Sequence, residues 1–237
     1  MKKAILFDLD GTLVDTIEDI RCAINHTVKL TYNREISREE CMSVVGRGLK
    51  NALIGALAFS GARYPEDEID ILYHELISYY KNNACVYSKP YDGITEFLKS
   101  MSQNGYALGV LSNKSDVLVQ EIVEKLFSDI NFTFIQGFCD KIPLKPDKAG
   151  VEIFAKLSGV PIEEVIYVGD SEVDGETIIN AHLEKGILVT WGFRPREIIE
   201  KFEKQGIKLV NTIEELKDGV NWWDEKGSGR KGTCLPR

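Results

Sequence analysis

Two aspartates stand two residues apart in Phe7-Asp8-Leu9-Asp10-Gly11-Thr12, directly after the apolar run Ala4-Ile5-Leu6-Phe7. Side chains alternate along a strand, so Asp8 and Asp10 would share a face if the strand stayed regular. Carboxylates that close repel each other unless a cation or a shared proton compensates. Gly11 permits a sharp turn, and Thr12 offers a hydroxyl just beyond it. Such a pair stabilises a strand end poorly, but it suits holding a metal ion and acting on a phosphate group. The plainer reading is a strand end with two solvated aspartates. Three other places carry groups that suit the same chemistry: Ser112-Asn113, Lys145 before Pro146, and Gly169-Asp170-Ser171 with Asp174. A carboxylate can attack phosphorus and form an aspartyl-phosphate, which splits hydrolysis into two displacements. Mg²⁺ would offset the repulsion between phosphate and nucleophile, with Asp170 as a further ligand and Asp174 as its support or an occasional ligand. Ser112 and backbone N–H groups can hold phosphoryl oxygens, and Lys145 supplies positive charge for the transition state. Singly, each has an ordinary reading: a helix cap for Ser112, a surface lysine for Lys145, a first-turn carboxylate for Asp174. Those readings leave the clustering unexplained.

Elements of two kinds must position these groups. The run before Asp8 reads as a strand buried on both faces, as in a parallel sheet. The pattern then becomes helical. Thr16 with Asp19 reads as a variant capping box ahead of Ile17, Ile20, Ile24 and Val28, and Ser37 with Glu40 as another helix start. Gly46-Arg47-Gly48 interrupts; Leu49, Leu53 and Leu57 resume; Gly61 ends that helix; Pro65 opens the next, with Ile69, Leu72, Tyr73, Leu76 and Tyr80 as its stripe. No strand is expected between about 16 and 84. After Lys89-Pro90, helices at 93–103, 115–127, 148–158, 174–184, 195–204 and 212–217 alternate with strands at 106–111, 132–135, 165–168, 187–191 and 208–210. Repeated strand–helix units predict an α/β fold, a doubly wound parallel sheet of Rossmann-like type, with a helical insert after the first strand. In such sheets ligands bind beyond the carboxyl ends of the strands, where all four groups fall. The expected division is a core of 1–15 and 88–218, an insert of 16–87 and a C-terminal tail of 219–237. Residues 226–237 read as mobile, and the Trp222-Trp223 pair as packing on the surface or meeting a partner.

Composition bounds the partners. The 237 residues, 43% apolar and 28% charged, suit a soluble domain with an insert. A net charge of −8 argues against a nucleic-acid partner. No apolar run is long enough for a membrane span, and Asp8 comes too early for a signal peptide. Five widely spaced cysteines, at 22, 41, 85, 139 and 234, read as reduced thiols of a cytoplasmic protein. The three histidines form no site. Oligomeric state is left open, as monomer or dimer.

The segments Asp8-Leu-Asp10-Gly-Thr12, Leu111-Ser112-Asn113, Lys145-Pro146 and Gly169-Asp170-Ser171-x-x-Asp174 resemble, in order, the four motifs of the haloacid dehalogenase superfamily of phosphohydrolases. The resemblance covers about residues 4–216. It implies that Asp8 attacks phosphorus and that Asp10 is general acid and base. The catalytic set is then Asp8, Asp10 and Lys145. Asp8, Asp10 and Asp170 are the metal set for Mg²⁺, with Ser171 and Asp174 behind them. Thr12, Arg47, Ser112, Asn113 and Lys145 are the substrate-binding set. Lys148 departs from the second proline that many relatives carry there.

The insert resembles the all-helical cap of this superfamily, with hinges near 14–16 and 85–89, which implies a lid that excludes water and carries specificity. Val44-Val45-Gly46-Arg47-Gly48, Asp10-Gly-Thr-Leu-Val-Asp15 and Thr190-Trp-Gly-Phe-Arg-Pro195 resemble the phosphoglycolate phosphatases of the superfamily. Arg47 would then read a substrate carboxylate, or else be a solvated arginine in a glycine-rich turn. Ile20 stands where the mutase relatives carry a histidine. The expected reaction is Mg²⁺-dependent hydrolysis of a small phosphorylated metabolite, phosphoglycolate first. A pyrophosphatase or a nucleotidase is the alternative within the same chemistry. From a different class, the chain could be a binding protein on a phosphatase scaffold.

Overall fold

Along the first strand, Ala4 and Leu6 point into one apolar layer and Ile5 and Phe7 into the other, all of them fully buried. That alternation sets the architecture: a sheet covered on both faces. The computed structural model describes residues 3–30, 34–59 and 64–227. The chain begins with β1 (Lys3–Phe7) and a two-residue strand, β2 (Val14–Asp15). Four helices follow: α1 (Ile17–Lys29), α2 (Arg38–Val44), α3 (Leu49–Ala58) and α4 (Glu66–Asn83). β3 (Lys89–Pro90) brings the chain back. Then come α5 (Ile94–Gln103), β4 (Tyr106–Ser115), α6 (Asp116–Leu126), β5 (Phe132–Phe138), α7 (Ala149–Ser158), β6 (Val165–Gly169), α8 (Glu172–Asn180) and β7 (Lys185–Val189). The last elements are α9 (Arg196–Ile199), which runs on as a 3₁₀ turn over Glu200–Gln205, then β8 (Lys208–Val210) and α10 (Ile213–Gly227).

Six strands form one parallel sheet in the order β5-β4-β1-β6-β7-β8. This is the doubly wound α/β sheet expected from the sequence. The chain winds outward from β1 through β4 and β5, then restarts at β6 on the other side. The switch point therefore lies between β1 and β6, where open sheets of this kind bind ligands. Apolar residues of α5, α6 and α10 cover one face, and those of α7, α8 and α9 the other. The stripe Ile94, Phe97, Leu98 and Met101 shows the helical spacing that puts α5 there.

The insert helices share the first of these layers. Ile17, Ile20, Ile24, Leu53, Leu76 and Tyr80 belong to the same buried cluster as Phe7, Leu9 and Leu13. Entry and exit of the insert are joined: β2 pairs antiparallel with β3, Val14 opposite Pro90 and Asp15 opposite Lys89. Residues 16 and 19 do not form the capping box expected from the sequence. Thr16 makes no side-chain cap; its hydroxyl donates to Asp10 instead. Asp19 reaches across to the returning chain and accepts from Tyr87 N at 3.0 Å, Ser88 N at 2.8 Å and the Ser88 hydroxyl. The Ser37–Glu40 box does form.

Other differences lie at element ends. α8 starts at Glu172 rather than 174, because Ser171 caps it and Asp174 closes the reciprocal bond. β7 ends at Val189, which leaves Thr190–Arg194 as a loop. α10 runs past Gly219 to Gly227, where a tail was expected, because Leu216 and Val220 bury one turn apart. Trp223 packs on the core and Trp222 is half exposed. The expected end of a helix at Gly61, the thiol of Cys234 and the rest of the tail, 228–237, lie outside the described residues. Cys22, Cys41, Cys85 and Cys139 are free thiols. Among the described residues, no helix is long and apolar enough to cross a membrane.

Asp19→Ala should orphan the buried N–H of Ser88 and the part-buried N–H of Tyr87 at the root of the insert. Hydrogen bonds to a charged acceptor contribute about 1.5–3 kcal/mol. The variant should therefore lose roughly 2–4 kcal/mol in urea unfolding. Asp19→Asn, whose amide oxygen still accepts, should lose less.

Candidate active site

Asp8 is the first residue past β1, and its N–H still pairs with Val168 O of β6 at 2.9 Å. The chain then leaves the sheet. The N–H groups of Thr12, Leu13 and Val14 all turn back onto Leu9 O, and Gly11 takes φ +83°. This turn separates the two aspartates. Asp8 Oδ1 lies 2.9 Å from Lys145 Nζ. Asp10 faces the other way, with Oδ1 2.6 Å from Lys114 Nζ and Oδ2 3.5 Å from Ser112 Oγ.

Asp170 follows β6 and stands beside Asp8. Oxygens of Asp8, Asp170 and Asp174 lie within 4.8 Å of one another. Asp170 is wedged between the backbones of Gly11 and Gly192, where a Cβ on either glycine would come within 2.3 Å of it. Thr12 Oγ1 donates to Asp170 Oδ1 at 3.3 Å and Phe193 N to its Oδ2 at 2.8 Å. Asp174 is fully buried and its oxygens are occupied. Oδ1 accepts from Lys145 Nζ at 2.8 Å and Tyr167 OH at 2.9 Å; Oδ2 accepts from Asp170 N, Ser171 N and Ser171 Oγ.

The charges follow from this placement. Burial pushes the Asp8 carboxyl up to about 7; Asp174 and Asp10 add to the rise and Lys145 opposes it. Burial, with Asp174 and Asp8 nearby, pushes Asp170 well above the usual carboxylate range. Burial would raise Asp174 too, but the Lys145 ammonium and the bonds from Ser171 and Tyr167 outweigh it and hold it low. Burial alone would lower Lys145; Asp174 and Asp8 reverse that and keep it charged. Asp8 and Asp170 are thus two oxygen donors that burial, with neighbouring carboxylates, drives toward their protonated forms. That donor set suits a hard divalent cation.

The cavity in front of these groups is lined from both parts of the chain. Asp8, Asp10, Ser112, Lys114, Lys145 and Asp170 face it from the core, and Ile20, Val45, Gly46 and Leu49 from the insert. Arg194 clasps the two together: Nε donates to Glu172 at 2.8 Å, and its two terminal nitrogens donate to Met42 O and Val45 O.

Residues 5–185 match the model of a family described as haloacid dehalogenase-like hydrolase. The chain belongs to the haloacid dehalogenase-like hydrolases. It is similar to a phosphoglycolate phosphatase of Agrobacterium fabrum, 33% identical over 82% of this chain and 83% of that protein. It is also similar to a phosphoglycolate phosphatase of Colwellia psychrerythraea, 29% identical over 91% and 95%. A solved structure from Lactobacillus delbrueckii subsp. bulgaricus superposes with a TM-score of 0.85 at 30% identity, covering 93% of this chain and 99% of that one. The chain is accordingly a hydrolase of phosphate monoesters.

Within this haloacid dehalogenase-like site, several residues sit differently from the sequence expectation. The resemblance puts Asp10 with Asp8 and Asp170 in the metal set. The turn at Gly11 aims its side chain at Lys114 and leaves Asp174 as the third member of the carboxylate group. The Thr12 hydroxyl orients Asp170 and is not turned to the cavity. Asn113 lines the cavity, but its carboxamide is committed: Oδ1 accepts from Lys145 N at 2.7 Å, and Nδ2 donates to Lys145 O at 2.9 Å and to Gly46 O at 3.2 Å. It therefore positions Lys145 and ties the insert to the core. Arg47 is exposed, 3.9 Å from Glu172, and does not line the cavity. Gly46 and Gly48, at φ +108° and +87°, turn the loop so that it presents backbone rather than this side chain. Lys114, Tyr80 and Arg194 were missed. Lys114 directly follows Asn113 where β4 is irregular against β5, between Leu111 and Ser115, and Arg194 lies in the segment 190–195 already singled out, in a loop with no period to report its direction.

Two outcomes are expected. Gly192→Ala places a Cβ against Asp170 and should cost about 1–3 kcal/mol in urea unfolding through overpacking. If Asp170 holds a divalent cation, its displacement should also weaken binding of added Mg²⁺ roughly ten-fold or more in calorimetry. The second concerns pH. Asp8 titrates near 7 when folded, against 3.8 unfolded. Without a cation its contribution to folding is fully present below 3.8 and is lost as pH rises through about 7. A cation takes the deprotonated carboxylate and removes that loss. The gain in melting temperature on adding Mg²⁺ should therefore be larger at about pH 8 than at about pH 5.5. Equal gains at both would place the ion elsewhere.

Proposed function

We propose that this hydrolase removes phosphate from a small phosphorylated metabolite, phosphoglycolate foremost, in a Mg²⁺-dependent reaction that passes through an aspartyl-phosphate on Asp8. The observation that carries the reading is the pairing of two carboxylates with opposite surroundings in one cavity. Asp8 sits between Lys145 and Asp170, and Asp10 sits 3.5 Å from the Ser112 hydroxyl on the leaving-group side. Relatives bearing the name phosphoglycolate phosphatase support the choice of substrate.

The free Asp8 oxygen attacks phosphorus as the bond to the ester oxygen breaks. Asp10 donates a proton to that oxygen, so the alcohol leaves neutral. Water then attacks the phosphoaspartate; Asp10 takes its proton, the bond from phosphorus to Asp8 breaks, and phosphate is released. Lys145 and Ser112 hold the phosphoryl oxygens, and Asn113 fixes Lys145 by gripping both sides of its backbone. Asp8 and Asp170 would hold Mg²⁺, which when bound offsets the charge of the phosphate dianion. The insert, packed on the core through Tyr80 and the Arg194 clasp, keeps bulk water from the phosphoryl group.

A panel of phosphorylated metabolites assayed with Mg²⁺ tests this. Phosphoglycolate should give the highest kcat/KM, above pyrophosphate and nucleoside monophosphates, and a chelator should abolish turnover. Asp8→Asn should form no phosphoenzyme. Asp10→Asn should fall roughly a hundred- to ten-thousand-fold on alkyl esters and less on aryl esters, whose leaving groups need no proton. A trapped phosphoaspartate in Asp8→Asn would refute the nucleophile; a preference for pyrophosphate or nucleotides would refute the substrate.

A further inference from the structure

Two buried lysines line the same cavity, one beside each catalytic aspartate. Lys145 is bound by Asp8 and Asp174, and its role is to meet the phosphoryl group. Lys114, near the end of β4, has no role in that scheme. Its side chain is 2% exposed. Its ammonium lies 2.6 Å from Asp10 Oδ1 and 2.9 Å from the hydroxyl of Tyr80, a residue of α4 in the insert. Those contacts use two of its three N–H groups; the ammonium also lies 4.8 Å from the centre of the Tyr80 ring, and among the described residues the third N–H has no hydrogen-bond acceptor. Burying an ammonium is costly, and leaving a donor unpaired adds to the cost. A group of that kind at a cavity wall has a use when an anion arrives.

The other cations of the region are unsuited to this. The Arg194 guanidinium is spent on Glu172 and two insert carbonyls, and Arg47 is exposed outside the cavity. The position of Lys114 relative to the chemistry then limits what the anion is. Asp10 must reach the ester oxygen to protonate it. In an α-phosphonooxy carboxylate the carboxyl carbon is two bonds from that oxygen, so the carboxylate falls within roughly 3–4 Å of it. That is the reach of an ammonium touching Asp10.

We propose that Lys114 is a specificity-determining residue: its free N–H binds the carboxylate of an α-phosphonooxy acid while Lys145 holds the phosphate. The two lysines thus measure the separation of the substrate's two anionic ends, and Arg47 does not. This rests on the phosphoglycolate reading above and names the residue that enforces it. Because Tyr80 fixes the ammonium from the insert side, the carboxylate site is complete only with α4 in place on the core.

The test compares phosphoglycolate with ethyl phosphate, the same two-carbon ester without the carboxylate, in the Mg²⁺-loaded full chain. Lys114→Gln, which can still donate to Tyr80, should lose about ten- to a hundred-fold more kcat/KM on phosphoglycolate than on ethyl phosphate, mostly through KM. Lys114→Arg should recover part of that difference. The methyl ester of phosphoglycolate removes the charge from the substrate instead. On the wild type it should lose a similar factor, and Lys114→Gln should add little to that loss. Equal losses on phosphoglycolate and ethyl phosphate in Lys114→Gln would show that Lys114 acts only through Asp10 and overturn the proposal. So would a methyl ester turned over by the wild type as well as the free acid. A wild type that does not prefer phosphoglycolate to ethyl phosphate would instead overturn the substrate reading on which the proposal stands.

Discussion

Like charges held together out of water are the constraint on which this molecule is built. Four carboxylates, Asp8, Asp10, Asp170 and Asp174, converge where β1 and β6 end, and three of them lie within 4.8 Å of one another. Nothing in their own chemistry would keep them there. Asp174 solves the problem by taking five donors, including the ammonium of Lys145, and so becomes a fixed negative charge in the interior. Its position then sets the others. Lys145 is anchored between Asp174 and Asp8, and Ser171 caps α8 while binding the same carboxylate. Asp8 keeps Oδ2 to spare, and each Asp170 oxygen accepts a single hydrogen bond. Structural charge and reactive charge are thus separate residues, which lets the site stay under electrostatic strain without unfolding.

The same logic joins insert to core. Their apolar interiors are one continuous cluster, but polar contacts decide the registration. Arg194 reaches the carbonyls of Met42 and Val45, Asn113 reaches that of Gly46, and Lys114 meets Tyr80. Each is a core side chain that also faces the cavity. Cavity and insert therefore share the same few groups, so a ligand bound in the cavity would be felt at the interface.

Much of this was legible from residue order because parallel strands are continuous apolar runs and their carboxyl ends are where polar residues collect. Asp8 and Asp170 come from that rule, as does the sheet, and Lys145 from the loop that leads into α7. What escaped had a different cause. Side-chain direction is encoded by period only inside regular elements, and Asp10 lies in a turn. Strand alternation predicted that it would stand with Asp8; Gly11 sends it to Lys114. Thr16 and Asp19 have capping spacing, yet longer-range partners, Asp10 for one and Ser88 for the other, win their hydrogen bonds. Arg47 looked like a ligand because glycines flank it, and those glycines are what turn its side chain out. Tyr80 meets Lys114 across 34 residues, a contact no local pattern reports.

The short ladder between β2 and β3 also bears on how such a chain diversifies. It sets the two crossings between insert and core side by side, Asp15 opposite Lys89, as close as any neighbouring strands. A segment whose two ends are adjacent can lengthen, shorten or be exchanged for another without altering the path of the chain that supports it. The sheet with its carboxylate cluster and the insert that covers it are then separable inheritances. One can be retained through descent while the other is rewritten.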